Sequence, residues 1–122
     1  MAKTVLLIED EPNITEAMRF ILQRDGWTVA IHADGATALE AVDRVGPDVV
    51  VLDVMLPNRS GFLILRDIRA ADRTRDLPVL MLTAKGQDKD RALAESYGVS
   101  QFMTKPFSNQ EILATLKDLA AP

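Results

Sequence analysis

The chain has 122 residues, 48% hydrophobic and 26% charged, with a net charge of −4. That is enough for one globular core, with no strong electrostatic pull toward nucleic acid or an anionic membrane. There is no cysteine, which excludes disulfides, thiolate zinc sites and cysteine nucleophiles. No apolar run approaches the roughly 18 residues of a membrane span, and Met1-Ala2-Lys3 leads straight into strand-like sequence without a signal peptide, so a cytoplasmic protein is expected.

Along the chain one alternation recurs. TVLLIED (4–10) is a short apolar run. The following segment, PNITEAMRFILQRDG, has apolar residues at 14, 17, 18, 21 and 22, the spacing of a helix opened by Pro12 and closed by Gly26. WTVAIHA (27–33) is β-branched and aromatic, and ATALEAVDRVG (36–46) is helical again and ends in glycine. PDVVVLD (47–53) predicts the third strand and GFLILRDIRAAD (61–72) the third helix, with Ser60 as its natural cap. LPVLMLT (77–83) is the fourth strand. QDKDRALAESYG (87–98) follows as a helix with a thin apolar stripe. SQFMT (100–104) is the fifth strand. SNQEILATLKDLA (108–120) closes the chain as an amphipathic helix, with Ser108 and Glu111 at capping-box spacing.

Five strand–helix units with short connections predict a doubly wound α/β domain, a mainly parallel sheet with helices on both faces. Strands that are apolar throughout, rather than alternating, fit that burial. The chain is too short for an eight-fold barrel. A dinucleotide-binding fold is disfavoured because EDEPN stands after the first strand in place of G-x-G-x-x-G.

The apolar strands finish in polar residues: Glu9-Asp10, Asp53, Thr83 and Thr104-Lys105. In a parallel sheet these ends share one edge, where open α/β sheets bind ligands. The second strand, ending IHADG, is the exception and is placed outside the site. Adjacent strands lie ~4.8 Å apart, so Asp10 and Asp53 approach closely if strands one and three are neighbours. Three such carboxylates repel each other and need cationic compensation. Lys105 supplies one charge, and a hard, oxygen-seeking divalent ion such as Mg²⁺ would supply the rest. A single remote histidine, His32, and no cysteine disfavour a softer metal.

Taken singly these residues have plainer readings. Asp10 is equally an N-cap for the helix that Pro12 opens. Asp53 is a poor cap, because VMLPNRSG separates it from the next helix. Thr83 alone is a strand-end threonine, Lys105 alone a solvated lysine, and Phe102 alone a core aromatic. Their placement on four strand ends is what points to a site.

Together LLIEDEP, DVVVLDVMLPNRSG, PVLMLTA and QFMTKPF span the chain and resemble the receiver domain of two-component response regulators, of which the single-domain chemotaxis regulator is a familiar small example. The resemblance implies the flavodoxin-like strand order 2-1-3-4-5. It implies that Asp53 accepts a phosphoryl group, that Glu9 and Asp10 organise Mg²⁺, and that the main-chain carbonyl of Met55 also coordinates it. Thr83 and Lys105 would each engage a phosphoryl oxygen, and Phe102 would be the switch aromatic. Pro106 would follow a cis peptide bond. The implied donor is a phosphohistidine on a sensor histidine kinase or histidine phosphotransfer protein. The implied output is a changed surface around the fourth helix, fifth strand and fifth helix that controls binding of a downstream protein, with no direct contact to nucleic acid or membrane. The resemblance implies a phosphoacceptor switch, not an enzyme acting on other substrates.

Departures bear on output. The chain stops at DLAAP, so the whole of 1–122 reads as a single receiver domain with no output domain, either a complete single-domain regulator or a piece of a longer one. Ser100-Gln101 and Thr115 stand where the winged-helix branch carries two aspartates and an arginine, which puts that branch's dimer in doubt; a monomer or a weak phosphorylation-dependent dimer is expected. Met55 and Lys85 match positions that tune phosphate lifetime in the family the chain resembles; neither is acidic or amide, so rapid self-hydrolysis is not expected. Two rivals remain: an interaction module that works without phosphorylation, disfavoured by the intact acidic set, and an aspartate-nucleophile phosphatase, disfavoured by Met55 in place of a second aspartate.

Overall fold

The computed structural model describes residues 2–84 and 88–121. Five strands, β1 (Thr4–Ile8), β2 (Thr28–His32), β3 (Val49–Asp53), β4 (Val79–Thr83) and β5 (Gln101–Thr104), form one parallel sheet in the order β2-β1-β3-β4-β5. The helices are α1 (Pro12–Arg24), α2 (Ala38–Val45), α3 (Gly61–Ala70), α4 (Asp88–Ser96) and α5 (Asn109–Leu119). This is the flavodoxin-like (βα)5 arrangement expected. No helix among the described residues is long and apolar enough to cross a membrane.

Strand alternation sorts the core into two layers. Leu6, Ile8, Val50, Leu52, Val79 and Met81 pack with α2, α3 and α4 residues such as Ala41, Ile64, Ile68 and Ala94. Val5, Leu7, Val49, Val51, Leu80 and Leu82 pack with Met18 and Leu22 of α1 and with Ile112 and Leu116 of α5. Both faces of β1, β3 and β4 are therefore buried, which is why those strands are apolar without interruption. Burial of this kind contributes about 25 cal/mol per Å² of apolar surface.

Local signals account for the ends of the elements. Ser108 and Glu111 close a reciprocal capping box on α5, and the Ser60 hydroxyl accepts from the Phe62 N–H at the start of α3. Pro12 opens α1, but the residue capping it is Glu11, with no side-chain bond, so Asp10 is not a cap. The helix expected from residue 36 is delayed by a 3₁₀ turn, Gly35–Thr37, because Asp34 accepts from the Ala36 N–H and fixes a tighter turn first. Gly46 ends α2 in the left-handed conformation, φ 61°. As its thin stripe implied, α4 buries only Ala94 fully.

Candidate functional site

The carboxyl ends of β1, β3, β4 and β5 converge on one edge of the sheet. Alternation decides who meets whom there. The parity that sends Val5 and Leu7 to the α1–α5 side continues to Glu9, and that of Val49 and Val51 continues to Asp53. Lys105 follows β5 with the parity of Met103, on the same side. These three side chains meet accordingly: Lys105 Nζ lies 2.8 Å from Glu9 Oε1 and 3.5 Å from Asp53 Oδ1. The lysine is held in place by its own N–H, which donates to the Thr83 carbonyl at 2.7 Å.

Glu9 and Asp53 are buried, 5% and 6% exposed, whereas Asp10 is exposed and donates its N–H to Glu9 Oε2. Asp53 thus sits deeper than the rim of the sheet, but it is paired. Burial pushes its carboxyl up to about 7, and the hydrogen bond and charge of Glu9 add to that against the opposing effect of Lys105. Burial also acts to raise Glu9, but hydrogen bonds with Lys105 and Asp53, together with the lysine charge and the Asp10 N–H, outweigh it and hold Glu9 below its ordinary value. For Lys105, burial acts downward, while the bonds and charges of the two carboxylates prevail and raise it. Two crowded carboxylates therefore share one ammonium, and Asp53 holds its proton well above the usual carboxylate range.

One carboxylate oxygen each from Glu9, Asp10 and Asp53 lies within 4.8 Å of the other two. An all-oxygen set with surplus negative charge suits a hard cation such as Mg²⁺, which uses one or two carboxylates plus waters. Met55 lies in the loop after β3 and is 75% exposed. The three carboxylates expected at the strand ends are thus brought together, and His32 stays outside, its Nε2 2.7 Å from Thr37 Oγ1.

Thr83 is buried at the end of β4, and its strand partner is Thr104. Phe102 is 5% exposed and packs in the α2–α4 layer, with the Arg91 guanidinium 4.9 Å from its ring centroid. The Lys105–Pro106 peptide is cis. Lys85 lies outside the described residues. Ser100 is engaged within the chain, accepting from the Val79 N–H at 3.0 Å and from Arg69 at 3.2 Å.

Two contacts of the candidate residues carried little or no signal in the sequence. A Cβ on Gly61 would fall on the Asp53 carbonyl oxygen, so α3 starts directly against the backbone of the acid site. The only signal for this was a glycine at the first position of a helix. Arg91, on the polar side of a weak helix, gave no signal at all.

The description "response regulator receiver domain" matches residues 5–117. The chain is 44% identical over 115 residues to the transcriptional regulatory protein TrcR of Mycobacterium tuberculosis, covering 94% of this chain and 44% of that protein. It spans about half the length of the curated relatives it matches. A putative response regulator from Chloroflexus aurantiacus superposes with a TM-score of 0.94 at 30% identity, covering all of both chains. The receiver domain of sensor histidine kinase PA1611 from Pseudomonas aeruginosa, which has a magnesium ion coordinated in its active-site cleft, superposes with a TM-score of 0.89 at 29% identity over 98% of each chain.

Proposed function

The chain belongs to the response regulator receiver domain family, and from that premise we propose that it is a Mg²⁺-dependent phosphoacceptor switch whose acceptor is Asp53. The observation that carries this reading is the grouping of Asp53 with Glu9, Asp10 and Lys105 at one sheet edge. An Asp53 oxygen attacks phosphorus, the P–N bond to the donor histidine breaks, and an acyl phosphate forms with the imidazole as leaving group. Glu9, Asp10, Asp53 and the Met55 carbonyl would hold Mg²⁺, which supplies neutralisation of the phosphoryl charge. Lys105 pairs with one phosphoryl oxygen, and the Thr83 hydroxyl donates to another. No histidine or other general base is required.

The donor is a sensor histidine kinase or a histidine phosphotransfer protein. A groove of about 330 Å³ lined by Ile14, Met18, Ile21, Lys105, Pro106 and Phe107 opens beside the lysine and offers such a protein an apolar seat next to the acceptor. In this reading the protein works in the cytoplasm and catalyses only its own phosphorylation and dephosphorylation. The phosphoryl group adds about −1.5 to −2 charge. Drawing Thr83 and Lys105 toward it biases Phe102 and the α4–β5–α5 surface between two packings and so controls binding of a downstream protein.

Incubation with acetyl phosphate and Mg²⁺, followed by intact mass, tests the assignment. One phosphoryl group is expected on the wild type and none on Asp53→Asn; labelling that persists in that variant overturns it.

A further inference from the structure

The exit of β2 lends no side chain to the acid site, yet it touches both loops that frame it. The His32 carbonyl accepts from the Glu9 N–H at 3.0 Å. Two residues on, Asp34 Oδ1 accepts from Asn58 Nδ2 at 2.9 Å and from the Ala36 N–H at 2.9 Å. The Gly35 N–H donates to the Pro57 carbonyl at 3.1 Å. A Cβ on Gly35 would stand 2.5 Å from the Arg59 carbonyl oxygen and 2.8 Å from that of Pro57, so the two backbones meet at a separation that only glycine allows.

The facing segment is shaped to match. Asn58 has φ 70°, a left-handed conformation that asparagine adopts more readily than most residues. Arg59 is held on its far side by Asp67 at 2.7 Å. The His32–Thr37 hydrogen bond, at 2.7 Å, closes the β2 exit on itself. The segment 32–37 is therefore a clip, with the Glu9 backbone in one jaw and residues 57–59, just beyond Met55, in the other.

We propose that Asp34 and Gly35 are positioning residues for the cation site, fixing the separation between the acidic pair and the Met55 main-chain carbonyl. The proposal rests on reading the site as a Mg²⁺-dependent phosphoacceptor. Neither residue touches the reacting atoms. Mg²⁺ demands near-ideal octahedral geometry at about 2.1 Å, so a small shift of one ligand-bearing loop weakens binding. Groups that orient ligands without touching the ion change affinity by roughly 10–100-fold.

The test is calorimetric titration of the full chain with Mg²⁺ alone, in wild type, Gly35→Ala, Asp34→Ala, Asp34→Asn and Asp43→Ala. Gly35→Ala and Asp34→Ala are expected to raise the Mg²⁺ Kd by about ten-fold. Asp34→Asn should stay near wild type, because an amide Oδ1 accepts the same two hydrogen bonds. Asp43→Ala removes an exposed ion pair with Arg73, remote from the site, and should leave the Kd unchanged. Should Gly35→Ala fail to fold, the Asp34 pair decides. Wild-type affinity in Asp34→Ala, or weakening in Asp34→Asn equal to that in Asp34→Ala, overturns the clip while leaving the phosphoacceptor reading intact. A wild-type protein that binds no Mg²⁺ overturns both.

Discussion

Lys105 Nζ stands closer to Glu9, at 2.8 Å, than to Asp53, at 3.5 Å. The resting cation is thus committed mainly to the neighbour of the proposed acceptor, and a phosphoryl group on Asp53 would have to compete with Glu9 for it. Removing the lysine leaves two buried carboxylates facing each other, the situation in which breaking a buried ion pair costs several kcal/mol. Because the Lys105 side chain is partly solvated, a smaller loss of about 1–3 kcal/mol is expected for Lys105→Ala without metal. Mg²⁺ should restore part of that loss, since at the proposed site it would bind only the folded protein. Urea unfolding with and without Mg²⁺ measures both, and an unchanged or higher midpoint in metal-free Lys105→Ala would contradict the pairing.

Asp53 sets a pH dependence with a definite sign. Its folded-state value, about 7, is raised above the ordinary 3.8, so folded metal-free protein keeps a proton that the unfolded chain releases. The stability this contributes is full below about pH 4 and is lost as pH rises through 7. Glu9, held low, works the other way, and its contribution is lost only as pH falls below its ordinary value of 4.5. Mg²⁺ must displace the Asp53 proton, so the rise in Tm on adding millimolar Mg²⁺ should be larger at about pH 8 than at about pH 6. A metal-induced rise that is flat or decreasing across that interval would refute the shifted carboxyl.

Phe102 fills the α2–α4 layer and is overlaid by Arg91. Phe102→Ala should destabilise the resting protein by about 3 kcal/mol, the usual cost of emptying a buried aromatic site. Arg91→Ala removes only a surface cation–π contact and should cost less than about 1 kcal/mol. Denaturant midpoints at constant m-value separate the two. Comparable losses in both variants would show that the ring is held by the arginine and not by the core.

Glycine positions discriminate contact from conformation. At Gly61 an added Cβ meets the Asp53 carbonyl, whereas at Gly26, with φ 94°, nothing lies within 4 Å. Gly26→Ala should cost roughly 1 kcal/mol through backbone strain alone, without changing phosphoryl labelling. Gly61→Ala should cost more than about 2 kcal/mol and should slow acetyl phosphate labelling, because relief of the clash moves the backbone of the proposed acceptor. Normal labelling of a folded Gly61→Ala protein would falsify that link.

Much of this protein was legible in one dimension. Unbroken apolar runs such as VVVLD announce strands covered on both faces, and the Ser108–Glu111 spacing announces a capped helix, because both signals are local and periodic. The polar residues at the strand ends marked the candidate site, since parallel strands must finish on one edge. What the chain order could not state is distance. Lys105 and Glu9 are 96 positions apart, and only the sheet register brings them to 2.8 Å, where burial turns three ordinary side chains into a coupled acid–base cluster. The same holds for the β2 exit: its sequence, IHADG, placed it outside the site, yet its backbone bonds to the loop beyond Met55. Residue type decides what a group can do, but only packing decides what stands beside it and how much water is left there.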